Sequence, residues 1–133
     1  MKKTIIFTVI AMCFAMVSVQ ANATTTKGEP LTSAKYFKVN SFCVSIALGD
    51  IETVQKLLAL GEDVNQMSNG MTPAMYAAKY NRTEILKILI NRGADLKQKS
   101  DKSMTALQYA KLHGAKDAAG IIKNALADLK KNK

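Results

Sequence analysis

"TPAMYAAKYN", residues 72–81, and "TALQYAKLHG", residues 105–114, begin 33 residues apart. The stretch "GADLK" follows the first at Gly93, and "LADLK" follows the second at Leu126, again 33 apart. Upstream, "NSFCVSIALGD" begins at Asn40, 32 residues before Thr72, and "GEDVN" begins at Gly61, 32 before Gly93. Three units are therefore in register, at about 40–71, 72–104 and 105–133. Gly49, Asn81 and Gly114 share one column, and Asp63, Asp95 and Asp128 share another. Self-similarity at this period marks a stack of supersecondary units, none of which can bury its apolar face alone.

Each unit reads as two helices. In the middle one, Thr72 suits an N-cap and Pro73 the first helical turn, where its missing N–H costs nothing. The run Ala74–Tyr80 is short, and Asn81 can end it in the left-handed conformation, as Gly49 and Gly114 can in their units. A second helix follows in "TEILKILINR", where Ile85, Leu86, Ile88, Leu89 and Ile90 give a broad apolar face. Gly93 stops it. "ADLKQKSDKSM" then reads as a polar, extended and turn-like loop. The first unit repeats this order, with "IETVQKLLAL" as second helix and Gly61 as stop. In the third, Gly120 is expected to interrupt the second helix. No Gly stops that helix near Leu126, so it is expected to run on to about Lys130, with lysines at its negative end. The loop from Asn65 to Thr72 is one residue shorter than that from Lys97 to Thr105, which accounts for 32 against 33.

These residues resemble the ankyrin repeat. The family's repeat has a period of 33 and opens on Thr-Pro-Leu-His-x-Ala. "TPAMYAA" with "TEILKILINRGADLK" fits the middle unit, and "DIETVQKLLALGEDVN" fits the second half of the first. The resemblance covers about residues 40–130 and implies an all-α solenoid of stacked helix-turn-helix units with hairpin-like loops. Cys43, Met75 and Gln108 stand where the family commonly has a His that hydrogen-bonds adjoining turns. Cys and Met are expected to do this poorly. The third unit departs furthest and is expected to form a solvent-facing cap.

The N-terminus reads differently. Lys2 and Lys3 precede an apolar, uncharged run from Thr4 to Val19, and Ala21-Asn22-Ala23 offers a small-x-small cleavage site. This is the three-part pattern of a secretory signal peptide over residues 1–23, with cleavage after Ala23 or Ala21. A spanning helix needs about 20 apolar residues, and this run is shorter. Met12 before Cys13 does not suit lipidation. Residues 24–39 are expected to form a tail and an N-terminal cap, with Leu31, Tyr36, Phe37 and Val39 covering the first repeat. The chain is thus expected to be exported, periplasmic or secreted, of bacterial type, with no stable membrane insertion after cleavage.

Charge and cysteines narrow the function. The net +9 falls by two on cleavage, and the remaining lysines are spread, with only Lys130, Lys131 and Lys133 clustered. A nucleic-acid binder more often shows a dense Arg/Lys stripe with aromatics, so no nucleic acid is expected. Cys43 is left alone, which excludes an internal disulfide. It is either a packing residue between repeats or a reactive thiol at a helix start. One His and one Cys without a nucleophile–base arrangement, and no Cys/His spacing for zinc, point to no catalytic, metal or cofactor site. Asp63, Asp95 and Asp128 are read as structural, bonding backbone in the turns.

What remains is surface. The resemblance implies that loop tips and the exposed side of the first helices bind a protein partner. The tips would be Gln66, Met67, Ser68, Asn69 and Met71, then Lys99, Asp101, Lys102 and Met104. The first-helix rim would add Lys79, Tyr80, Leu112 and His113. Tyr80 and the methionines supply adaptable apolar contact, although Met71 and Met104 could instead pack beneath the Thr turns. The expected protein is a monomeric binding module, without a cofactor. Its rivals are an accessory or protective factor for an exported enzyme and a thiol-dependent redox protein acting through Cys43. Electrostatic adhesion to acidic surface polymers is a weaker third.

Overall fold

The computed structural model describes residues 39–132. The expected signal peptide and all but the last residue of the expected cap lie outside the described residues. Six helices follow in chain order: α1 (Ser41–Leu48), α2 (Ile51–Ala59), α3 (Pro73–Lys79), α4 (Thr83–Asn91), α5 (Ala106–Leu112) and α6 (Lys116–Lys131). Among the described residues there is no strand. The helices pair as α1–α2, α3–α4 and α5–α6, and the pairs stack, α1 on α3 on α5 and α2 on α4 on α6. The fold is all-α, a short helical solenoid.

Local chemistry sets the helix ends. Thr72 accepts the Met75 N–H on Oγ1 at 3.3 Å, and Thr105 accepts that of Gln108 at 3.4 Å. Asn40 does the same for Cys43 at 2.9 Å. The turn after each first helix is left-handed, at Gly49 (φ 81°), Asn81 (φ 52°) and Gly114 (φ 68°). An Asn tolerates this region because its short polar side chain can bond nearby groups.

The core runs through the centre of the stack. Phe42, Ile46, Val54, Met75, Ile85, Leu86, Leu89 and Ile122 are fully buried. Burying each such side chain stabilises the fold by about 1.5–3 kcal/mol. Ala77, Ala78 and Ala110 are buried without a large side chain, which lets neighbouring first helices approach closely.

Side chains also tie unit to unit. Asn65 Nδ2 donates to the Gly93 carbonyl at 3.2 Å, while Asn65 Oδ1 accepts the Asp95 N–H at 2.7 Å. Asn81 repeats this towards the last unit: its Oδ1 accepts the Ala118 N–H at 3.1 Å and its Nδ2 reaches Asp117 Oδ2 at 3.3 Å. Arg82 Nε donates back to the Ala47 carbonyl at 2.9 Å.

Two expectations change. Gly120 does not interrupt α6, which runs unbroken from Lys116 to Lys131. A single glycine costs a helix interior only about 1 kcal/mol, and Ala118 and Ile122 anchor the helix on either side. Asp63 and Asp95 do accept backbone N–H groups in their turns, from Asn65 and Lys97, but Asp128 lies exposed within α6 because no turn forms there. Met75 bonds only within its own helix start, where its weak acceptor Sδ takes the Thr72 N–H at 3.4 Å and closes a capping box. Gln108 closes the equivalent box with Oε1 at 2.8 Å from Thr105 N.

Candidate functional site

The loop before each first helix is a tight turn, and the two loops differ by one residue. Ser68 and Met71 exchange both backbone hydrogen bonds around Asn69 and Gly70. Both central residues have positive φ, 50° and 73°. That is the twist a two-residue hairpin turn requires, and Asn-Gly is its favoured sequence. In the next loop, the Ser100 N–H bonds the Met104 carbonyl across three residues, of which Ser103 is left-handed at φ 58°. The extra residue is what lengthens the period from 32 to 33.

Buried hydroxyls hold these tips against the helices. Tyr76 OH donates to the Ser68 carbonyl at 3.0 Å, and Tyr109 OH to Ser100 Oγ at 3.1 Å. Burial raises the Tyr76 phenol above its ordinary pKa, and the nearby Cys43 and Tyr80 add to it. The tips also bond each other, Asp101 N–H to the Gly70 carbonyl at 3.0 Å. Gly70 is needed here twice, for its positive φ and because a side chain would run into the Asp101 carboxylate.

Between these tips and the ends of α3 and α5 lies a groove of about 570 Å³. Asn69, Met71, Asp101, Lys102 and Met104 form its tip side. Lys79, Leu112 and His113 form its helical side. The structure thus brings together eight of the eleven residues expected on this surface. Met67, Tyr80 and Lys99 lie outside the groove lining. Met67 is half-buried, and Tyr80 and Lys99 are exposed. Two groove residues were not anticipated, Gly70 and Tyr109. The Asn-Gly turn signal could have found the first. Tyr109 has no local signal of its own, because what reveals it is the equivalent tyrosine, Tyr76, one repeat earlier.

The wall chemistry is mixed. Leu112 is 68 % exposed, a large apolar side chain held at the edge. Met71 and Met104 are half-buried and pack partly on the core. The rings of His113 and Tyr109 lie nearly parallel, 9° apart in plane and 6.5 Å between centroids. Lys79 Nζ sits 5.2 Å from the Tyr80 ring centroid.

Cys43 lies elsewhere, fully buried in α1. Burial pushes its thiol up to about 12 from an ordinary 9.0; the Glu62 charge adds to the rise and the Ser68 hydroxyl lowers it in part. Such a thiol is neutral at physiological pH and inaccessible, which suits a packing role and not a redox one. Among the described residues, no group of three or more His, Cys, Asp or Glu side chains could hold a metal, and no helix is long and apolar enough to cross a membrane.

Known proteins share this architecture. A family model for ankyrin repeats in three copies matches residues 42–133. The ankyrin repeat, SAM and basic leucine zipper domain-containing protein 1 of Homo sapiens is 32 % identical over 81 residues, and that of Eulemur macaco macaco 33 % over the same length. The match takes in 60 % of this chain but only 17 % of those relatives. A solved structure, a predatory endopeptidase of Bdellovibrio bacteriovorus in complex with an immunity protein, is similar with a TM-score of 0.62 and 30 % identity. That similarity covers 66 % of this chain and 47 % of the matched one. With its stacked helix pairs, its first helices capped by Asn40, Thr72 and Thr105 and the family match over most of its length, the chain belongs to the ankyrin-repeat family, whose repeats are protein-interaction modules.

Proposed function

We propose that this chain is an exported protein-binding module whose partner seats in the groove between the loop tips and the ends of α3 and α5. The observation that carries this reading is the groove itself, with an exposed leucine and two methionines beside two lysines. Its walls are tied down by the tip-to-tip bond at Gly70 and the buried tyrosine hydroxyls, so a partner meets a preformed surface. Little ordering entropy is then lost on binding. Export rests on the signal-peptide pattern of residues 1–23.

The test is affinity capture from the periplasmic fraction with residues 24–133, comparing wild type with Leu112→Asn. The expected result is a partner held at fixed stoichiometry by the wild type and lost by the variant. A partner retained equally by both places the binding surface elsewhere.

A second reading is favoured by the similarity to the endopeptidase–immunity protein complex. The chain would then protect or restrain an exported enzyme. Adding the mature chain to the captured enzyme, one to one, is expected to suppress its activity. Unchanged activity leaves the simpler binding module.

A further inference from the structure

We infer that the segment this groove receives is acidic: a partner loop in which a carboxylate side chain stands beside an apolar one. This rests on the docking reading above and adds the chemistry of the occupant. Charge is divided unevenly over the stack. Across residues 66–80 and 99–113, which make the loop tips and the first-helix side, the charged side chains are Lys79, Lys99, Lys102 and Lys111 against Asp101 alone. The other described carboxylates belong to the second helices and the turns around them, as with Glu52 of α2, Glu84 of α4 and Asp117 of α6. Both ion pairs among the described residues are on that outer side, Lys56 with Glu52 at 2.7 Å and Lys87 with Glu84 at 2.9 Å. Among the described residues, neither Lys79 nor Lys102 has such a pair.

Asp101 does not restore the balance. Its carboxylate lies against Gly70, and the groove lining holds two lysines, Lys79 and Lys102, against this one acid. A concave site with an excess of one sign of charge and apolar walls focuses its potential. It draws in the opposite charge and repels its own. The carboxylate alone does not complete the fit. Leu112, Met71 and Met104 offer an apolar wall beside the lysines, and covering it requires an apolar neighbour in the incoming segment. A basic segment would set like charges together, and a purely apolar one would strip water from the lysines without replacing it.

The experiment selects ligands from a random-peptide phage library on immobilised residues 24–133, then rebinds the enriched clones to three variants. Lys79→Glu with Lys102→Glu reverses the groove charge, Lys102→Glu alone does so at an exposed tip, and Leu112→Asn removes the apolar edge without adding charge. Circular dichroism melting identifies any variant that fails to fold. We expect enriched clones to carry Asp or Glu next to a large apolar residue, to weaken at high salt, and to bind the double reversal at least about tenfold less well. Neutral or basic clones that depend on Leu112 would overturn the acidic chemistry while leaving the docking reading intact. Clones that bind every variant as they bind the wild type, or no enrichment at all, would overturn both.

Discussion

The middle unit and the last unit begin alike and end differently. In α3, every residue from Pro73 to Ala78 is buried; in α5, only Ala106, Tyr109 and Ala110 are. The two helices have the same length, the same Thr cap and the same capping box. What differs is company: α3 has α1 on one side and α5 on the other, whereas α5 has a first-helix neighbour only on the α3 side. The column Cys43, Met75, Gln108 records the change. Its first two members are fully buried and its third is exposed. The residue type follows the position in the stack, because the same helical face meets another repeat in two units and solvent in the last.

The largest test of this contrast is a pair of alanine substitutions in one column. Met75→Ala removes a fully buried side chain and is expected to cost about 3 kcal/mol. Gln108→Ala loses only a capping bond at an exposed site and is expected to cost under about 1 kcal/mol. Urea midpoints of the two variants check this. Equal losses would mean that burial in the stack is not what separates the two units.

A smaller effect is expected where the two units join. Asn81→Gly keeps the left-handed turn but deletes both bonds to Asp117 and Ala118. The expected loss is about 1–2 kcal/mol, with faster amide hydrogen exchange in α6 than in α3. Uniform acceleration through both helices would show that the last unit is not separately held.

The first member of the column gives a pH test. The folded Cys43 thiol is raised to about 12 from 9.0, and Tyr76 is raised as well. The unfolded chain therefore loses these protons first. Their contribution is complete below about pH 9 and is lost as pH rises towards the folded values. At pH 10 the loss from Cys43 is expected to be about 1 kcal/mol. A Cys43→Ala variant should show a shallower alkaline decline; an identical slope would assign the decline to other groups.

The smallest effect is a gain in the last unit. Gly120 is exposed inside α6 with nothing near the position of an added Cβ. Gly120→Ala is expected to stabilise by about 0.5–1 kcal/mol. Gly70→Ala, at a positive φ and against Asp101, is expected to destabilise. A thermal melt showing the opposite order would deny that α6 is a regular helix there.

Much of the site was legible because it lies at turns, and turns are written locally. Asn69, Met71, Asp101, Lys102 and Met104 follow from the loops preceding Thr72 and Thr105. Lys79, Leu112 and His113 follow from the ends of the short helices. Met67, Tyr80 and Lys99 sit in the same stretches but outside the groove lining, since neighbouring residues of a turn point in different directions. Asp128 was misread because a shared column was taken for a shared turn, and the turn is absent from the last unit.

By itself, the sequence determined the period, the helix pairs, the cap at Thr72 and the left-handed stops at Gly49, Asn81 and Gly114. Each depends on residues within a few positions of one another, where propensity and capping chemistry act. Only the tertiary structure decided that Asn65 reaches Gly93, that Asn81 reaches Asp117, that Asp101 lies on Gly70, and that Leu112 and Lys79 face one groove. Those contacts depend on how each unit rotates and seats on the one before it. That is set by packing across the whole interface, and no local stretch encodes it.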